Sequence, residues 1–102
     1  MTEVFIQRQF ELANGSEVFV RFHRPAPDDD DFRCNYEIIW PDRKRASYAV
    51  GVDEVQALIL AIQKAHVDLL SSPEADRGEL SWLGSPDLGL PLPGSFTPKD
   101  FA

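Results

Sequence analysis

Apolar and polar residues alternate strictly through the first half of the chain. Val4, Ile6, Phe10 and Leu12 fall on even positions, with Gln7, Gln9 and Glu11 between them. Val18, Val20 and Phe22 alternate with Glu17, Arg21 and His23; Cys34, Tyr36, Ile38 and Trp40 alternate with Arg33, Asn35 and Glu37. A fourth segment sets Tyr48, Val50 and Val52 against Arg45 and Ser47. Period two in four consecutive segments predicts an antiparallel sheet with one buried face. The period then changes. From Asp53 to Leu70 the residues Val55, Leu58, Ile59, Ile62, Ala65 and Leu69 recur at helical spacing and predict one long amphipathic helix. Asp53 is placed to accept from the free amides of the first turn, and Gln56 stands three residues on, where it can bond back.

The turns fix the register. A two-residue Asn14-Gly15 loop would put Val18, Val20 and Phe22 on the face opposite Ile6 and Phe10. A three-residue loop, Ala13-Asn14-Gly15 with Gly15 left-handed, sets Phe10 opposite Val18 and Ile6 opposite Phe22, so one face stays apolar. The second hairpin turns at Pro41-Asp42-Arg43, and the segment from Pro25 to Asp31 reads as a polar loop kept out of the central sheet by its prolines.

After Leu70 the periodicity ends. Residues 71–102 hold five of the eight prolines, together with Gly78, Gly84, Gly89 and Gly94. Glu79 to Gly84 predicts a short fifth strand. Leu88, Leu90, Leu92, Phe96 and Phe101 make the remainder richer in large apolar groups than a disordered tail, so part of it is expected to dock. The expected architecture is a two-layer α+β fold: a four-stranded antiparallel meander, with a possible short fifth strand, packed on one long helix. The domain spans 1–84, and 85–102 form an extended, partly docked tail.

Composition narrows the function. A chain of 102 residues carries 17 acidic and 10 basic residues, a net charge of −7. This disfavours charge-driven binding to nucleic acid or anionic membrane and suits a cytoplasmic protein. No basic stretch followed by a long apolar run opens the sequence, and the apolar stretch from Val55 to Ile62 is too short to span a bilayer. The single cysteine, Cys34, excludes an intrachain disulfide and a one-chain thiolate zinc cluster.

No catalytic constellation emerges. His23 and His66, with Cys34, have no metal-motif spacing; Cys34 lies on the buried row, His23 on the outward row, and His66 suits the helix's negative end. Asp28, Asp29, Asp30 and Asp31 lack the spacing of a calcium loop and read as a solvated loop or a contact for a basic partner. Arg43-Lys44-Arg45 reads as a solvated hairpin tip. Arg8 falls on the inward row, so it snorkels at a sheet edge, pairs with a carboxylate, or marks a local error in register. No phosphate loop, nucleophile elbow or paired carboxylates appear. No catalytic, cofactor-binding or metal-binding residues are assigned.

Cys34-Asn35-Tyr36, the helix start Gly51-Val52-Asp53-Glu54-Val55-Gln56-Ala57-Leu58, and Leu80-Ser81-Trp82-Leu83-Gly84 resemble a family of small uncharacterised bacterial proteins, over roughly residues 8 to 93 judged by the order of those signals. The resemblance implies a bacterial origin and the same strand–strand–strand–strand–helix plan. It implies no activity.

Two functions follow from these residues. The favoured one is a non-catalytic protein-interaction module, an adaptor, inhibitor or immunity-type partner. Its surface would combine Phe5, Phe19 and Ile39 of the outer sheet face with Trp82 and the tail, and Asp28 to Asp31 would tune association. Its partner is another protein, a homodimer being the simplest case, with no nucleic acid and no membrane. The alternative is a small enzyme or ligand-binding domain with a site between sheet edge and tail, using His23, Arg21 or Trp82.

Overall fold

The computed structural model describes residues 3–94. Its elements are β1 (Val4–Leu12), β2 (Glu17–His23), β3 (Ala26–Asp28), β4 (Asp31–Ile39), β5 (Lys44–Gly51), α1 (Glu54–Leu70), α2 (Pro73–Asp76) and β6 (Leu80–Ser81). Every strand pairing is antiparallel. On one edge of β4 lies β5; on the other lie β2 and, further along, β3; β1 and then β6 complete the sheet. The α+β plan read from alternation is the one observed.

The first hairpin has the register that burial demands. Phe10 pairs with Val18 and Ile6 with Phe22, and Gly15 sits at φ 89°. The Leu12 amide donates to the Ser16 carbonyl and the Gly15 amide to the Leu12 carbonyl, which closes the three-residue loop. Near its start β1 is irregular, because Phe5 is an extra residue between Val4 and Ile6.

Three expectations change. The segment from Pro25 to Asp31 is not all loop: Ala26–Asp28 forms β3 and pairs with the first residues of β4. Pro27 is tolerated because β3 is an edge strand. In β5 the inward residues are Ser47, Ala49 and Gly51, opposite Tyr36, Cys34 and Phe32. Tyr48 and Val50 face outward and Val52 is exposed. The helix is rotated to match. Its buried row is Ala57, Ala61 and Ala65, with Leu69, while Val55 and Ile59 are 66% and 45% exposed. Small residues on strand and helix let the two backbones approach, and a row of larger side chains would hold them apart.

Asp53 caps the helix as the sequence predicts, its carboxylate accepting from the Gln56 amide at 2.8 Å. Gln56 reaches back to the Val52 amide at 2.7 Å, one residue beyond the Asp53 amide of the usual reciprocal box. A second short helix, α2, was not expected. Its signal is present in the sequence: Ser72 as cap, with Pro73 at the first helical position.

The core lies on one side of the sheet. Phe10, Val18, Val20, Phe22, Cys34, Tyr36, Ile38 and Trp40 supply the sheet side, and the alanine row with Leu69, Leu80 and Leu88 closes it. The helix lies over β4 and β5. The tail covers this face from Phe10 to Arg8, since Leu88 is buried in the core and the Arg8 side chain from the inward row of β1 reaches the tail backbone, but Val4 and Ile6, expected on the buried row, are 46% and 42% exposed at the start of β1. Phe96 and Phe101, expected to help the tail dock, lie outside the described residues.

Candidate interaction surface

The expected surface divides between two sides of the sheet. Trp82 follows β6 on the same side as buried Leu80, and its ring packs against the core. Over that ring lies the Arg8 guanidinium, 4.0 Å from the ring centre. Arg8 Nη1 donates to the Leu88 and Gly89 carbonyls at 3.1 and 2.8 Å. Among the described residues Arg8 therefore pairs with no carboxylate, and its register is correct: it fastens the tail to the inner face. Trp82 and the described tail, residues 85–94, belong to this inner side and do not join Phe5, Phe19 and Ile39. Trp82 is also separated from His23 and Arg21, which point outward from β2, so those three do not line one site.

His66 is not a surface cap. It is buried on α1 facing the tail, and its Nδ1 lies 3.1 Å from the Pro91 carbonyl. A carbonyl only accepts, so Nδ1 carries the proton. Burial lowers the pKa of the imidazole, against the opposing pull of the Pro91 carbonyl and Asp87. The unfolded chain takes up a proton at the ordinary value of about 6.5, while the folded chain resists it. Stability from burying the neutral imidazole is thus complete above that value and is lost as pH falls below it. The urea midpoint is expected to fall between about pH 7.5 and 5.5 in the native protein and to change less in His66→Gln. Equal pH slopes in the two proteins would refute the assignment.

Other ionisable groups are committed to structure. The Tyr36 hydroxyl donates to the Asp68 carboxylate, which also receives Arg45 Nε at 3.1 Å. Burial, then the Asp68 contact, raises the tyrosine pKa. Cys34 is buried, as expected of a small apolar group, and burial pushes its thiol up to about 11. That is the opposite of what a nucleophile needs. Arg43 stacks on Trp40 with 4.2 Å between guanidinium and ring centre, and grips Glu74 through two bonds of 2.8 and 2.9 Å. Lys44 pairs with Glu37 and Arg45 with Asp68, so the Arg43-Lys44-Arg45 turn is a set of ion pairs and not a purely solvated tip. Among the described residues no three His, Cys, Asp or Glu side chains are arranged to hold a metal ion.

A model for a domain of unknown function, DUF6968, matches residues 6–92. The chain belongs to this family. The DUF6968 match runs into the docked tail as far as Leu92, so nearly all of the sheet, both helices and the tail up to Leu92 fall within it. No curated protein and no solved structure matches the chain. Among the described residues of this DUF6968 chain, no helix is long and apolar enough to cross a membrane.

The outer face of the sheet is what no described element covers. Its cross-strand rows follow from the register. Gln9, Phe19, Ile39 and Lys44 form one row; Gln7, Arg21, Glu37 and Ala46 form the next. Beyond them Asn35 stands beside Tyr48, and Arg33 beside Val50. Phe19 and Ile39 are direct neighbours, as an apolar patch requires. Phe5 lies four residues along β1 from Gln9, Phe19's partner, with the Arg24 guanidinium 4.6 Å from its ring centre. The four aspartates lie at the far end of the sheet, where Asp28 pairs with Asp31 around Asp29 and Asp30. Arg33 stacks over the Tyr48 ring at 3.5 Å. His23 and Lys44 both contact Glu37, and these two partners, Lys44 first, hold its carboxyl below the ordinary range. The sequence shows the outward row but not the Arg33–Tyr48 stack, because alternation reads Tyr48 as a core residue.

Proposed function

We propose that this domain is a non-catalytic protein-interaction module that docks through the outer face of its sheet. One asymmetry carries the reading: helix and tail cover most of the inner face, leaving only the start of β1 open, and no described element covers the outer one. An open antiparallel face is usual when it is polar. This one also presents the Phe19–Ile39 pair and exposed Tyr48 and Val50, which suit the centre of an interface. The ionisable groups beside the core support the same reading, since Tyr36, Asp68, Arg43 and Glu74 are spent on one another or their neighbours.

The test places a photo-crosslinking residue at Ala46, which is exposed on the outer face, and a second at Glu54 on the helix, in cells of the native host. A discrete adduct with another protein is expected from position 46 and not from 54. No adduct from position 46, or the same adducts from both, would refute the proposal.

A further inference from the structure

The charge on the outer face runs against the charge of the chain. Over the rows from Phe19 to Arg33, alternation directs Arg21, Arg33, Lys44 and His23 outward around one carboxylate, Glu37. Three permanent cations against one anion form a basic island in a chain of net charge −7. Glu37 is occupied by His23 and Lys44. The two arginines are not neutralised. Arg21 Nε donates to Gln7 Oε1 and Arg33 Nε to Asn35 Oδ1, each at 3.1 Å, so neutral amides orient both guanidinium groups. Among the described residues neither arginine is paired with a carboxylate. A shallow depression of about 500 Å³ lies between Arg33, Glu37, Lys44 and Tyr48.

The same face is acidic at both ends. Glu11 stands directly opposite Glu17 at one end, and Asp28 opposite Asp31 at the other. Between them the basic island extends about 20 Å along β4, at the rise of an extended strand.

We propose that this island receives a short acidic segment of a partner protein. This inference rests on the docking reading above and names the chemistry of the occupant. Guanidinium groups held by their Nε atoms keep their Nη donors for carboxylates. Along the strands Arg21 and Arg33 are about 14 Å apart, which matches acidic side chains about four residues apart in an extended segment. A second copy of this chain fits poorly, because two-fold stacking of the face sets island against island. A long nucleic acid fits poorly too, because its continuous charge would run over the acidic ends.

The probe is a capped eight-residue peptide of alternating glutamate and threonine, titrated into the full chain and followed by backbone amide shifts. Saturable shifts are expected at Arg21, His23, Arg33 and Tyr48, weakening as salt rises. The double variant Arg21→Glu/Arg33→Glu is expected to weaken binding at least tenfold, by loss of both charge-assisted contacts, while its spectrum stays dispersed. Arg21→Lys/Arg33→Lys, which keeps the charge, should retain part of the affinity. Absence of saturable shifts, shifts centred elsewhere, or equal binding by the glutamate variant would overturn the proposal. So would tighter binding of a thymidine octanucleotide, or salt-sensitive dimerisation through this face in sedimentation. A crosslink from position 46 that persists unchanged in Arg21→Glu/Arg33→Glu would leave the docking reading standing and remove the acidic occupant.

Discussion

Gly51→Ala is expected to destabilise the domain by about 3 kcal/mol, the upper part of the range for overpacking a tight core. Gly51 ends β5 on its inward row and is buried opposite Phe32. A methyl group there would meet the Ala57 amide nitrogen at 2.4 Å, the Gln56 carbonyl carbon at 2.8 Å and the Ala57 Cα at 2.9 Å. All three are backbone atoms, so no rotamer change relieves the clash. Either the end of β5 or the first turn of α1 must move, and the first turn carries the Asp53 cap and the Gln56 contact with Val52. The displacement spreads along the helix because the alanine row leaves little slack between Ala57, Ala61, Ala65 and the sheet. Urea unfolding measures the loss, and a midpoint within error of the native protein would show that the helix does not pack at this distance.

Gly51 also marks where the sequence stopped being legible. Alternation identified β1, β2 and β4, because most large apolar residues there sit on one face and most polar ones on the other, Arg8, Phe19 and Ile39 being exceptions. In β5 the signal inverts. Ser47, Ala49 and Gly51 carry almost no hydrophobic contrast, while Tyr48 and Val50 look like core residues and are exposed. Tyr48 is held outside by Arg33 above its ring and by Lys64, whose ammonium lies 5.4 Å from the ring centre and donates to the Tyr48 carbonyl. The helix followed the same logic: its existence and cap were readable, but the buried side is set by small-on-small packing, which residue hydrophobicity does not report. The tail was expected to dock, but on the wrong side. The missing information was the role of Arg8, a charged residue on an apolar row whose partners are backbone carbonyls about eighty residues away. Of the candidate surface, the neighbouring pair Phe19–Ile39 was recoverable from register. The basic island depends on the register between β2 and β4, which the expected meander made neighbours but left unaligned.

Arg8→Met is expected to cost about 2–4 kcal/mol, from the loss of charge-assisted hydrogen bonds and of a cation–π contact. Methionine keeps much of the apolar stem, so the change isolates the guanidinium from the volume it fills. Arg8 Nη1 bridges the Leu88 and Gly89 carbonyls, and its plane covers Trp82. These contacts hold the tail at the point where it is least adaptable. Gly89 has φ 67°, and a methyl group added there would come within 2.2 Å of the Trp82 ring. Trp82 itself precedes a tight reversal in which Trp82 and Ser85 exchange backbone hydrogen bonds around Leu83 at φ 52° and Gly84 at φ 82°. Without the guanidinium, Leu88 loses its hold on the core from one side and the His66–Pro91 contact becomes the main remaining anchor. Arg8→Lys should recover only part of the loss, because an ammonium can donate to both carbonyls but has no planar group to lie flat on the indole. Two measurements separate tail release from general destabilisation. Amide exchange should accelerate from Trp82 to Leu90 before it does in β4, and a protease should nick the chain between Gly84 and Gly94 while the sheet and helix remain intact. If Arg8→Met instead exchanges uniformly faster across β2, β4 and α1, the tail is part of one cooperative unit with the sheet and Arg8 is a core residue in all but charge.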